Sequence, residues 1–275
     1  MSKNIIFDRL GAQVQVAHDG HPEDSSRLDT LLTTLQDEGF NVKFTIDDDD
    51  SLSSQLDGNK LFISTTRQYS GIDHSNVNGL ANFSYVRTFE TGFVQNELKD
   101  IQDWLHEGNS ILYFTNHNAF HKETGPFWPV NDIQLAATFG ITLSFATFTS
   151  PTGNLNMTVN PSAPAELIDG VKSVQAFDSG GICTKFKAPN LRSTTLVPLP
   201  ENCSDTGILG YDKDDFAFAV LYEIGLNNGK IIFMGHSGIV GNDDTGFPSN
   251  GQIGSGDNLR FIMNCINFLT KDIEG

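Results

Sequence analysis

Two apolar runs in this chain stop abruptly at polar pairs. Lys230-Ile-Ile-Phe-Met-Gly235 halts at His236-Ser237, and Ser110-Ile-Leu-Tyr-Phe-Thr115 halts at Asn116-His117. A short run that is apolar through its interior reads as a strand buried on both faces, which is what a parallel sheet covered by helices provides. The segments around these runs repeat the theme. Asn4 to Phe7 is a short strand, and Pro22 to Leu35 has the helix period, with Leu28, Leu31, Leu32 and Leu35 on one face and Gly39 as the stop. Asn41 to Ile46 and Leu61 to Ser64 follow as strands. Gln95 to His106 is a second helix, with Leu98, Ile101 and Leu105 aligned, Gly108 closing it and His106 placed to complement its carboxyl end. This alternation predicts an α/β fold: a three-layer sandwich with a mostly parallel central sheet and right-handed crossovers.

The middle of the chain breaks the alternation. From about 145 to 211 it is β-leaning and dense in turn residues, and short strands are expected near Lys172 to Phe177 and Thr194 to Val197. We read this as a β-rich insertion at the sheet edge within a single α/β domain spanning 1–275. Phe216 to Tyr222 then alternates with aromatics and feeds an Asn227-Asn-Gly229 turn into the strand at Lys230. The closing helix, about Gly256 to Leu269, turns Leu259, Ile262, Met263, Ile266 and Leu269 inward.

Charge limits the partners. Seventeen basic against thirty-four acidic residues give a net charge of −17, which disfavours nucleic acid and anionic membranes. No segment approaches the roughly 18 uninterrupted apolar residues of a membrane span, and the N-terminus lacks a secretory core, so a cytoplasmic protein is expected. The three cysteines, Cys183, Cys203 and Cys265, are odd in number and widely spaced, which argues against a disulfide framework.

Several stretches together resemble a known pattern. Glu107 to Phe120, with its Gly108 stop, strand and Asn116-His117 end, is followed by Leu135-Ala-Ala-Thr-Phe-Gly-Ile141. Asn228 to Gly238 precedes Asp257-Asn258 and the helix Phe261 to Leu269, and Ile5 to Asp8 opens the chain. This combination is similar to uncharacterised bacterial proteins of the class I glutamine amidotransferase-like superfamily. The resemblance covers about two thirds of the chain and implies a flavodoxin-like sandwich. It implies no single activity, since the superfamily holds amidotransferases, peptidases, trehalose-utilisation-like proteins and silent domains. The chain lacks the elbow cysteine, and it carries Asn116 and His236 where relatives often carry acids.

At the carboxyl edge of a parallel sheet the strand-end groups converge. The catalytic candidates are His117, His236, Ser237 and Asp8. The substrate-binding candidates are Arg9, Arg67, Asn116 and Thr66. Two imidazoles suit acid–base work near neutral pH, and two guanidiniums suit an anionic group. His18 and His21 could join His117 around a divalent metal, though no helical ligand pair accompanies them. Otherwise no cofactor is expected, since no phosphate-binding glycine loop follows the first strand. Gly235-His-Ser-Gly238 stops short of a hydrolase elbow, because Ile239 stands where the second glycine is required. Phe83, Phe120, Phe127, Trp128 and Phe247 are loop aromatics that could hold a sugar or apolar ligand.

The leading expectation is therefore a hydrolase-like enzyme using histidine acid–base chemistry on a small polar or anionic substrate. Two alternatives stand beside it: a non-catalytic amidotransferase-like domain binding a carbohydrate or protein partner, and a metal-assisted hydrolase. The sequence offers nothing on oligomeric state.

Overall fold

The computed structural model describes residues 3–8, 28–45, 51–66, 76–77, 80–81, 93–115, 120–121, 125–126, 129–205, 212–225, 229–242 and 252–271. The chain begins with β1 (Asn4–Phe7), α1 (Asp29–Asp37), β2 (Asn41–Phe44), α2 (Leu52–Leu56) and β3 (Leu61–Thr65). A two-stranded ladder of β4 (Asn76–Val77) and β5 (Leu80–Ala81) precedes α3 (Gln95–His106) and β6 (Ser110–Phe114). A second ladder of β7 (Phe120–His121) and β8 (Gly125–Pro126) leads into α4 (Pro129–Thr138). Then come β9 (Ile141–Thr149), β10 (Leu155–Met157), α5 (Ala165–Ile168), β11 (Val174–Ala176), β12 (Ser179–Lys187), β13 (Arg192–Pro198) and β14 (Ser204–Asp205). The chain closes with β15 (Phe216–Ile224), β16 (Gly229–Met234) and α6 (Asn258–Thr270).

Ten strands form one mixed sheet in the order β14-β9-β12-β15-β16-β6-β3-β1-β2, with β13 also on β15. The fold is α/β, and the strands from β16 through β2 pair in parallel. These are the strands separated in sequence by helices. The others, β14, β9, β12, β13 and β15, pair antiparallel. The β-rich middle segment thus meets the sheet at its edge and continues it through two nine-residue strands, β9 and β12.

Successive residues of the parallel strands serve opposite faces, so each strand feeds two cores. Ile5, Phe7, Leu61, Ile63, Leu112, Phe114, Ile232 and Met234 pack with Leu31 and Leu35 of α1 and Phe261, Ile262, Cys265 and Ile266 of α6. Ile6, Phe62, Ile111, Tyr113, Ile231 and Phe233 pack on the other face with Leu52 and Leu56 of α2, Trp104 and Leu105 of α3 and Leu135 and Ala136 of α4. The helix stops fall where expected: Gly39 and Gly108 take φ of 81° and 94°, left-handed values that a side chain resists. Gly229 has a different reason. A Cβ there would lie 2.3 Å from the Leu105 carbonyl oxygen, so glycine lets β16 begin against the end of α3.

Candidate functional site

The parallel register brings the expected strand ends to one edge. Asp8 donates its amide to the Ile63 carbonyl at 2.8 Å, Thr66 to Phe114 at 3.0 Å and Thr115 to Met234 at 2.8 Å. Asp8, Thr66, Thr115 and the residues after Met234 therefore follow one another across β1, β3, β6 and β16. Arg9, His18, His21, Arg67, Asn116 and His117 lie outside the described residues, as do Phe83, Phe127, Trp128 and Phe247.

The described part of this rim is a network of buried carboxylates and hydroxyls. Asp8 is fully buried, and the Ser64 hydroxyl donates to its Oδ2 at 2.7 Å. Asp132, also fully buried, accepts Tyr113 OH on Oδ1 at 2.6 Å. Its Oδ2 accepts the Thr66 and Thr115 hydroxyls at 2.7 and 2.5 Å. Ser64 and Thr66 are two apart on β3 and share a face, as Tyr113 and Thr115 do on β6. The two acids thus form the polar end of one helical layer. Burying a carboxylate costs several kcal/mol, and charge-assisted hydrogen bonds of about 1.5–3 kcal/mol each offset it. Asp132 was not among the expected site residues. Its signal was legible all the same: Asp132, Leu135, Ala136 and Phe139 follow the spacing of one buried helix face, and all four are buried.

His236 and Ser237 sit just past β16 in a single 3-10 turn, Ser237–Val240. Both are buried, and the imidazole is held from two sides. Its Nδ1 accepts the Gly238 amide at 2.9 Å, and its Nε2 lies 3.0 Å from Oδ1 of buried Asp178. A ring nitrogen that accepts an amide carries no proton, so the neutral ring has its proton on Nε2. Close packing fixes the corner. A Cβ on Gly235 would lie 2.1 Å from Ser179 Oγ and 2.5 Å from the Gly180 carbonyl, and Gly180 donates its amide to the Gly235 carbonyl at 2.7 Å.

The resemblance had singled out Asp257-Asn258, and both act on backbone. Asp257 Oδ2 accepts the Lys172 and Ser173 amides, and those bonds hold its carboxyl below the usual range. Asn258, fully buried, accepts the Gln175 amide and donates to the Gln175 and Gln252 carbonyls. Together they fasten the β10–β11 ladder to α6. A cavity of about 530 Å³ lies between α1 and α6, lined by Thr34, Glu38, Arg260, Met263, Asn264 and Asn267 among others, and none of the described rim candidates lines it. Among the described residues no three His, Cys, Asp or Glu side chains cluster closely enough to hold a metal ion. None of the described helices is long and apolar enough to cross a membrane.

No protein-family model matches the chain, and no curated protein matches it in sequence. Solved structures match in fold. The mmIFT52 N-terminal domain superposes with a TM-score of 0.64 at 12% identity, covering 98% of this chain and 99% of that one. Cytoplasmic protein STM1381 from Salmonella typhimurium LT2 gives 0.57 at 12% identity, covering 98% and 100%. A putative ThuA-like protein from Bacteroides uniformis gives 0.53 at 14% identity, covering 98% and 92%. At such identities the likeness is one of architecture.

Proposed function

We propose that this chain is a non-catalytic, amidotransferase-like domain that binds a small hydroxylated ligand, a carbohydrate, at the carboxyl edge of its parallel strands. The observation that carries this reading is the commitment of the described rim groups to the fold. Thr66, Tyr113 and Thr115 give their hydroxyls to Asp132, Ser64 gives its own to Asp8, and His236 has one nitrogen on a backbone amide and the other against Asp178. An acid–base catalyst needs a nitrogen within hydrogen-bond reach of substrate. His236 instead has Nδ1 on the backbone of its own turn and Nε2 buried against Asp178. Ser237, 1% exposed, is no better placed as a nucleophile. The half-exposed Phe177 ring, next to Asp178 in the chain, offers the flat apolar face beside polar groups that suits a sugar ring. Titration calorimetry against a panel of mono- and oligosaccharides tests the proposal, alongside turnover assays with p-nitrophenyl esters, phosphates and glycosides. Saturable saccharide binding without turnover is expected.

A second reading, the histidine hydrolase, is favoured by the position of Thr115. It ends a parallel strand flanked by two others, and Asn116-His117 follows it directly. In that reading His117 is the general base, His236 or Ser237 assists, and Arg9 and Arg67 hold an anionic substrate. Turnover that vanishes in His117→Ala while the fold survives would establish it and overturn the binding proposal. Elemental analysis of purified protein tests the metal-assisted variant through His18, His21 and His117.

A further inference from the structure

We infer that the cavity between α1 and α6 is a second binding site, for a short zwitterionic peptide, with the carboxylate of the peptide at Arg260 and its ammonium at Glu38. The site is separate from the strand-end rim and stands whatever the rim takes.

The two helices run side by side in the same direction. Their starts are tied to one segment: the Thr30 amide donates to Asn242 Oδ1 at 3.1 Å, and Ile253, just ahead of α6, donates its amide to the Gly241 carbonyl at 3.0 Å. Their ends meet where Asn267 Nδ2 donates to Glu38 Oε2 at 3.2 Å. Both positive helix ends therefore lie at one end of the cavity and both negative ends at the other. The charged side chains repeat this polarity. Arg260 stands in the first turn of α6, and Glu38 caps the last turn of α1.

Among the described residues both charges are uncommitted. No carboxylate pairs with Arg260, and Asp257 ahead of it gives Oδ2 to the Lys172 and Ser173 amides. Packing places the guanidinium instead: a Cβ on Gly170 would lie 2.3 Å from its Nη1, so glycine leaves it room. Lys3 meets the Glu38 carbonyl rather than its carboxylate, which takes the neutral Asn267 amide. Between the two charges, Asn264 donates Nδ2 to the Leu167 and Asp169 carbonyls, which leaves its Oδ1 as an open acceptor. The Oδ1 of Asn267 is open in the same way. Buried Met263 and half-buried Leu259 supply an apolar floor.

A ligand that matches this wall has an anion at one end, a cation at the other, N–H donors between them and an apolar body. A peptide with free termini has all four. From Arg260 to Asn267 is about two turns of α6, or about 10 Å, the length of about three extended residues. The volume of about 530 Å³ lies within the usual range of small-molecule sites. An anion without a cationic end would leave Glu38 unmatched, and a polyamine would meet Arg260 with like charge.

The test is an amide NMR titration of the full chain at neutral pH and low salt with the tripeptide Ala-Leu-Ala, its N-acetylated form and its C-terminal amide. The free peptide should shift the signals of Thr34, Glu38, Arg260, Asn264 and Asn267 saturably, with a Kd on the order of 1 mM that weakens as salt is added. Blocking either terminus should weaken binding about tenfold, the lower end of what a charge-assisted hydrogen bond is worth. Arg260→Gln should bind the free peptide and the amide equally, and Glu38→Gln should bind the free and acetylated peptides equally. Both side chains are exposed, so the variants keep the fold. No saturation at ten times the expected Kd, shifts confined to the strand-end rim, or equal binding of free and blocked peptides by wild type each overturn the inference. These outcomes leave the saccharide reading of the rim untouched, because its signals come from other residues.

Discussion

Asp132 turns three hydroxyls toward one buried carboxylate, and its two oxygens divide the work unequally. Oδ1 takes only the Tyr113 phenol of that set, whereas Oδ2 takes threonines from two different strands. Thr66 and Thr115 therefore act through a shared atom and should couple. Thr115→Val, which keeps the shape and removes the donor, should cost about 1.5–3 kcal/mol. Thr66→Val should cost a similar amount, and the double variant less than the sum, because the second loss falls on a bond already rearranged. Asp132→Ala, which leaves three buried donors without their acceptor, should cost more than either, about 3 kcal/mol or above. Urea unfolding midpoints of the four variants check the order, and strictly additive threonine losses would contradict the shared-oxygen geometry.

At the scale of elements, the crossover helices end at the amino edge of the sheet, and lysines meet them there. Lys60, just before β3, donates to the Gly108 carbonyl past the end of α3 at 3.2 Å. Lys3, just before β1, donates to the Glu38 carbonyl at the end of α1. Unpaired carbonyls at a helix end carry partial negative charge, and a cation there is worth about 0.3–1 kcal/mol. Lys60→Met keeps the stem and removes the charge, so it should lower stability by that amount at low salt, and the loss should shrink as salt is added. The β10–β11 ladder depends on a different device, the Asp257 carboxylate across the Lys172 and Ser173 amides. A carboxyl held below its usual range contributes stability that is present above the ordinary carboxylate value and is lost as pH falls through the lower folded one. Asp257→Asn still offers an acceptor oxygen but cannot titrate. Thermal midpoints taken from about pH 6 down to about pH 3 should therefore fall less steeply for the variant than for wild type. Parallel curves would show that the carboxylate adds nothing beyond its shape.

At the scale of the molecule, what could be read from the sequence is what is locally encoded. β1 and α3 match their expected bounds, and β3, β6, β15, β16 and α6 fall within a few residues of theirs, because apolar periods and glycine stops sit inside each segment. The long strands β9 and β12 were not foreseen. β12 opens Ser179-Gly-Gly and ends in charged Lys185 and Lys187, and its place in the sheet comes from Ala217 and Leu143, far away in sequence. The rim divides in the same way. Asp8 and Thr66 follow from strand ends, whereas Asp178 as the partner of His236 depends on a contact across 58 residues that no local pattern announces. Because β15 joins both halves, pairing antiparallel with β12 and β13 on one side and with β16 on the other, the sheet is hydrogen-bonded continuously from its parallel to its antiparallel part. A structure so connected should unfold as one cooperative unit. Cys265 reports on it: the thiol is fully buried between α6 and the sheet, and burial pushes its pKa up, so an alkylating reagent reaches it only when the core opens. Labelling of Cys265 in rising denaturant should coincide with the loss of far-ultraviolet ellipticity in a single transition. Cys203, beside the short edge strand β14 and 7% exposed, should label earlier through local opening. Cys265 labelling that completes while half the ellipticity remains would mean that the antiparallel half stands as a folding unit of its own.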